Sequence, residues 1–201
     1  MKQIVKQTKK VIARVVLWLG GWESDGVPPS APRCVLIAYP HTSNWDFIWT
    51  LAFAWAMDVE ISWMGKEEMF RWPFGGFMRA LGGVPVHRKS RANQVDQLAE
   101  RLRSAERLTL VVPAEGTRRW VPRWKSGFYH IARAAGVPIV LGFLDYGRKV
   151  GGFGPAIRVT GDVRRDMDVI RAFYAPMRGK YHECTGTILL TEELAEPPAV
   201  A

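Results

Sequence analysis

Short, nearly continuous apolar runs constrain this chain more than any other feature. They occupy residues 34–39 (CVLIAY), 61–64, 84–87, 108–112 and 138–143, and each is too brief for a helix. Runs of this length that lack polar alternation read as strands buried on both faces. Longer segments with helical patterning lie between them: the almost wholly apolar 46–57, the amphipathic 91–105, and 126–135. Residues 66–81 alternate basic and aromatic side chains, and Pro73 with Gly75 and Gly76 divides them into two short helices. A further strand near 156–160 and a helix near 166–178 complete the pattern. Strands alternating with helices predict an α/β fold: a single domain with a largely parallel or mixed central sheet flanked by helices, plus an N-terminal amphipathic helix.

The length of 201 residues suits one folded domain, set here at 23–190. Cys34 and Cys184 show no metal-ligand spacing and read as two ordinary thiols of a reducing compartment. No apolar stretch approaches the roughly 20 residues needed to cross a bilayer. The net charge of +9 calls for an anionic partner, and nine tryptophans tilt that choice toward a membrane–water interface or an apolar binding surface. Nucleic acid is disfavoured, because no recognised binding motif is present and the cations are dispersed among apolar helices.

Residues 1–22 carry Lys2, Lys6, Lys9, Lys10 and Arg14 with no acidic residue, and Ile4, Val5, Val11, Ile12, Val15, Val16 and Leu19 recur at helical spacing. Arg14 interrupts the apolar stretch and no clean small-residue cleavage site follows, which argues against a signal peptide. A basic amphipathic helix lying on a membrane surface accounts for both faces, with Trp18 and Trp22 as interfacial anchors. Packing of the apolar face on the domain is the alternative. The acidic, proline-containing segment 191–201 reads as a flexible tail.

Three polar clusters follow apolar runs: His41-Thr-Ser-Asn-Trp-Asp46, Gly83-Val-Pro-Val-His-Arg88 and Glu115-Gly-Thr-Arg118. In a parallel sheet all three reach the same rim, where ligands gather. On a continuous helix His41 and Asp46 would diverge by roughly 140°, whereas a turn entering a helix near residue 44, with Ser43 or Asn44 as N-cap, folds them together. A carboxylate on one ring nitrogen fixes the tautomer and raises the basicity of the other, as a general base requires. Ser43 is a rival nucleophile without a Gly-x-Ser-x-Gly elbow. Arg118 places a guanidinium beside a glycine that lets backbone approach an anion, and Arg88 and Lys66 add charge from neighbouring loops. His87, His130 and His182 have no metal-like spacing and read as structural or surface groups.

The His41-x4-Asp46 and Glu115-Gly-Thr-Arg118 motifs, in this order, resemble the 1-acylglycerol-3-phosphate acyltransferase family of lysophospholipid acyltransferases. Lys66-Glu-Glu-Met-Phe70, Gly83-Val-Pro-Val-His-Arg88 and Gly136-Val-Pro-Ile139 fit the family's remaining blocks, so the resemblance spans roughly 34–145. It implies an acyltransferase domain on the cytoplasmic side of a membrane, peripheral to it. A fatty acyl group would pass from acyl-CoA or acyl carrier protein, as co-substrate, to the hydroxyl of a lysolipid acceptor. No metal and no other cofactor is implied. His41 would be the general base and Asp46 its orienting partner. Arg118, Arg88 and Lys66 would hold the acceptor phosphate, while Glu115, Gly116 and Thr117 complete the substrate-binding loop. Oxyanion donors are expected near the His41 turn, and the 46–57 helix and aromatic 70–78 segment as an acyl-chain groove. A lyso-aminolipid or glycolipid acceptor, a thioesterase using the same pair, and a non-enzymatic anionic-lipid binding module stay open.

Overall fold

The computed structural model describes residues 2–86 and 91–194. The element order is α1 (Lys2–Gly20), β1 (Glu23–Gly26), β2 (Arg33–Tyr39), α2 (Trp45–Ala56), β3 (Ile61–Lys66), α3 (Gly75–Ala80), β4 (Gly83–Val86), α4 (Arg91–Ser104), β5 (Leu108–Val112), α5 (Gly127–Ala135), β6 (Ile139–Asp145), β7 (Val150–Ile157) and α6 (Val163–Tyr174). The strands form one mixed sheet in the order β1-β7-β6-β2-β5-β3-β4. From β6 to β4 all neighbours are parallel, whereas β7 runs antiparallel to β6 and carries β1 parallel to itself.

The apolar runs are continuous because both sheet faces are covered. Val35, Ile37 and Tyr39 of β2 join Leu110, Ile139 and Leu141 against Leu102 of α4, Phe128 of α5 and Ile170 of α6. The alternate residues Cys34 and Leu36 face the other way with Val111 and Val140, against Leu51 and Ala54 of α2. Behind α2 lies α1, whose Ala13 and Leu17 pack with Ala52 and Phe53. Side chains such as Leu17 and Leu51 each contribute about 1.5–3 kcal/mol when fully buried.

The N-terminal helix packs on the domain along one arc and leaves another arc exposed. One narrow strip packs on α2, while Ile4, Val5, Val11, Ile12, Val15, Trp18 and Leu19 are exposed. At 100° per residue these seven side chains form one continuous stripe beside the packed strip. Lys6 and Lys9 lie off that stripe, Lys6 paired with Asp58 at 2.9 Å and Lys9 over the Trp55 ring.

Two strands escaped the sequence pattern. β1 is a fully exposed, polar edge strand of Glu-Ser-Asp-Gly. β7 begins at Val150, ahead of the expected 156–160, and runs through Gly151, Gly152, Gly154 and Pro155, residues normally depleted in strands. The glycines are steric: a Cβ on Gly152 (φ +152) would lie 2.0 Å from the Asp25 carbonyl oxygen. The predicted 166–178 helix starts earlier, at Val163, where Asp162 caps it by accepting the Arg165 N–H at 3.1 Å. The tail does not begin at Thr191 either. Thr191–Leu194 forms a 3-10 turn, with Glu193 buried and paired to Arg171.

Candidate active site

β2 and β5 are adjacent and parallel, so the loops after Tyr39 and Val112 emerge side by side on the carboxyl rim. β3 and β4 continue the parallel set and bring the ends of those strands to the same rim. His41 and Asp46 meet there as a bent turn-to-helix entry demands. The helix α2 begins at Trp45, and His41 Nδ1 lies 3.4 Å from Asp46 Oδ2. The His41 side chain keeps 20% of its surface exposed while that of Asp46 keeps 3%. The imidazole is therefore partly open to solvent, and the carboxylate beside it is shielded.

Asp46 is fixed from several directions. Its Oδ2 accepts the backbone N–H groups of Thr42 and Ser43, both at 2.7 Å, and its Oδ1 accepts the Tyr146 hydroxyl at 2.6 Å. Of the two expected N-cap residues, Ser43 rather than Asn44 has a side chain that accepts a helix N–H. Asn44 makes no side-chain cap, and the Asp46 carboxylate reaches back over the turn. Ser43 is buried and its Oγ accepts the Trp45 N–H at 3.2 Å, so the hydroxyl serves the turn.

Glu115 is fully buried, and its placement differs from the substrate-binding role expected of it. Oε2 accepts the His41 N–H at 2.7 Å and Oε1 accepts the Gly186 N–H at 2.9 Å. Burial pushes its acidity down, raising its pKa, and these two hydrogen bonds and the neighbouring His41 offset that only in part. The carboxylate is a brace between loops. Gly116 turns the chain with φ +67, and a Cβ there would sit 2.9 Å from Cγ of Lys125. Thr117 is half-buried and its Oγ1 accepts the Arg119 N–H at 3.4 Å. Arg118 and Lys66 are both exposed at the rim, and Arg118 enters no ion pair among the described residues. Arg88 and His87 lie outside the described residues.

The backbone donors of the His41 turn are committed: the N–H of His41 goes to Glu115, those of Thr42 and Ser43 to Asp46, and that of Trp45 to Ser43. These four groups are therefore not the oxyanion donors expected near this turn. Nor does the underside of α2 hold an acyl chain. The cavity behind Asp46, between Phe53, Phe143 and Phe153, encloses about 20 Å³, room for a single water. Apolar side chains exposed on the outside include Trp45 and Ile48 of α2, and Trp72, Phe74 and Phe77.

A family model described as Acyltransferase matches residues 25–140, which contain both loops and every site residue expected from the sequence. The chain belongs to the acyltransferase family. No curated protein matches it. Among solved structures it is similar to the 1-acyl-sn-glycerophosphate (LPA) acyltransferase PlsC from Thermotoga maritima, at 17% identity. The match has a TM-score of 0.61 and covers 87% of this chain and 80% of that one. That likeness carries the fold, a mixed α/β sheet flanked by helices.

Two parts of this acyltransferase's site lie beyond the matched segment and beyond the sequence reading. Tyr146 follows β6, and Gly186 belongs to the C-terminal segment that closes on the His41 loop, where the Tyr181 N–H also reaches Thr42 Oγ1 at 3.3 Å. The available signal was positional: Tyr146 is the first residue beyond a strand that ends on the same rim. The other histidines behave as surface groups where described, with His130 paired to Glu192 at 3.0 Å and His182 opening an exposed 3-10 turn. Both cysteines are free thiols.

Proposed function

We propose that this acyltransferase works at a membrane surface and moves a fatty acyl group from acyl-CoA or acyl carrier protein to the free hydroxyl of a lysophospholipid resembling lysophosphatidic acid. The observation that carries the reading is the His41–Asp46 pair, 3.4 Å apart with the imidazole partly exposed, on a rim that also presents the exposed Arg118.

In the reaction the Nδ1–H of His41 is directed to Asp46, 3.4 Å away, which leaves Nε2 as the lone-pair nitrogen for the acceptor. Nε2 takes the proton of the acceptor hydroxyl as its oxygen attacks the thioester carbonyl. The C–O bond forms, the carbonyl π electrons move to the oxygen, and a tetrahedral oxyanion results. Its collapse restores the carbonyl and expels the thiolate, which takes the proton from the His41 imidazolium. The products are the ester and the free carrier thiol. Arg118 and Lys66, with Arg88, suit a phosphate on the acceptor, Arg118 through its fork of donors.

The exposed stripe of α1 and the exposed Trp72, Phe74 and Phe77 support a membrane partner. Exposed apolar side chains on a cationic protein fit adsorption to anionic lipid, with apolar side chains among the acyl tails and cations at the headgroups. Among the described residues no helix is long and apolar enough to span a membrane. Use of soluble thioester carriers of these classes supports a peripheral enzyme on the cytoplasmic face.

The test is thiol release from a panel of acyl-CoA and acyl carrier protein donors, with and without lysolipid acceptors, beside His41→Ala. Release that needs the acceptor and vanishes in the variant is expected, and mass spectrometry of the lipid names the acceptor. Release that ignores the acceptor would replace this reading with a thioesterase. Full activity in His41→Ala would remove the mechanism.

A further inference from the structure

We infer that Tyr146 is a positioning residue for the reaction, the third member of a chain of side-chain contacts His41–Asp46–Tyr146. This rests on the general-base reading of His41 given above. The Tyr146 hydroxyl donates to Asp46 Oδ1 at 2.6 Å across 100 residues of sequence. The other carboxylate oxygen, Oδ2, takes the Thr42 and Ser43 N–H groups and faces His41 Nδ1. Each oxygen thus has its own set of donors, and the Tyr146 hydroxyl fixes the rotation of the carboxylate about its Cβ–Cγ bond. That rotation aims Oδ2 at the imidazole.

The phenol is itself held firmly. Tyr146 directly follows β6, and its N–H donates to the Arg178 carbonyl at 2.9 Å. The preceding Asp145 accepts the N–H groups of Gly147 and Arg178 and the Arg148 Nε, closing the turn around it. Its ring stands edge-on to Trp22, with centroids 4.9 Å apart and planes at 83°. Burial, then the hydrogen bond to Asp46 and that carboxylate's charge, raise the phenol's pKa far above its ordinary value. The hydroxyl therefore remains a donor throughout the working range of a histidine base. The other titratable groups acting on this cluster are Glu115, which faces both His41 and Asp46, and Tyr181 beside Tyr146.

A hydrogen bond from a neutral donor to a carboxylate disperses part of its charge. With the donor removed, Asp46 presents more of its charge to His41 and the imidazolium is better stabilised. Oδ1 is also left without its hydroxyl partner and the carboxylate is freer to turn, which lowers kcat.

The experiment is Tyr146→Phe, which keeps the ring against Trp22 and removes only the hydroxyl. Acceptor-dependent thiol release is followed as a function of pH, with thermal melting as the folding control. A loss of roughly tenfold in kcat is expected, with KM for the acceptor little changed. The acid limb of the kcat profile should move up by about half to one pH unit. A second comparison guards against a purely structural effect: in an Asp46→Asn background the further change Tyr146→Phe should cost little, because the two act as one unit. An unchanged acid limb, or losses that simply add in the double variant, would overturn the inference. His41→Ala run alongside separates the two failures. Activity surviving in His41→Ala removes the general-base reading itself. An inactive His41→Ala with an unaltered Tyr146→Phe profile removes only the role of Tyr146.

Discussion

The backbone N–H of His41 donates to Oε2 of Glu115 at 2.7 Å, joining loops that are 74 residues apart in sequence. Because Oε1 of the same carboxylate holds the Gly186 N–H, a single buried side chain fastens the His41 loop, the Glu115 loop and the C-terminal segment. The general base of the proposed reaction is therefore placed by its main chain as much as by Asp46.

Glu115→Gln keeps the shape and loses the charge, and its amide can accept through only one atom while presenting its NH₂ to the other donor. Leaving one buried N–H unmatched costs about 1–3 kcal/mol. The pH dependence carries a definite sign. Glu115 has a folded pKa above its ordinary value, so its titration contributes stability below the unfolded pKa, and that contribution is lost as pH rises through the folded pKa. Urea unfolding of both proteins from pH 4 to 8 should therefore show the wild-type margin over Glu115→Gln shrinking as pH rises. A margin that widens across this range contradicts the assignment.

Asp46→Asn replaces an acceptor-only group that meets donors on both oxygens. The amide NH₂ must face either the Tyr146 hydroxyl or the two backbone N–H groups, and the imidazole loses its anionic partner. Turnover should fall on the order of 10²–10⁴-fold, measured as acceptor-dependent thiol release.

Arg118→Ala and Lys66→Ala remove exposed cations and should shift stability by no more than about 0.5 kcal/mol. Their effect belongs in KM for a phosphate-bearing acceptor, with kcat less affected. Arg118→Lys should recover only part of the loss, since an ammonium lacks the planar fork. Steady-state kinetics on a phosphorylated acceptor and an uncharged one separate this from general damage: the uncharged acceptor should be insensitive.

Trp18→Ser combined with Leu19→Ser deletes two of the most exposed apolar side chains of α1, at 77% and 72% exposure, without touching the Ala13–Leu17 strip packed on α2. Thermal stability should hold, while co-sedimentation with anionic lipid vesicles should weaken by roughly tenfold or more. Raising the salt should weaken the wild type as well, by screening its cations. Binding that is identical in variant and wild type would place the membrane contact elsewhere.

Much of this architecture was legible in local pattern. The runs at 34–39 and 108–112 are apolar throughout because their strands are covered on both faces, and a fully buried strand needs no partner information to be read. The His41–Asp46 geometry was legible too, since four intervening residues close only through a turn entering a helix. By contrast β1 and β7 were hidden: their glycines and polar residues answer to each other's backbone, with Gly152 required by Asp25. The resemblance assigned Glu115 to the substrate-binding loop, and nothing local distinguishes a carboxylate aimed outward from one aimed at a main-chain N–H.

The sequence by itself determined the alternation of strands and helices, the single domain, the amphipathic N-terminal helix and the two motifs with their chemistry. Each is written in residues close together in the chain, where spacing and side-chain type act directly on backbone conformation. Only the tertiary structure decided that β2 lies between β5 and β6, which sets the His41 loop against Glu115 on one side and Tyr146 on the other. It also decided that α1 packs along one strip and leaves a stripe exposed, and that the segment around Gly186 returns to close the site. Those outcomes depend on how all the faces of the chain are buried together, a property of the whole packing that no single stretch of residues encodes.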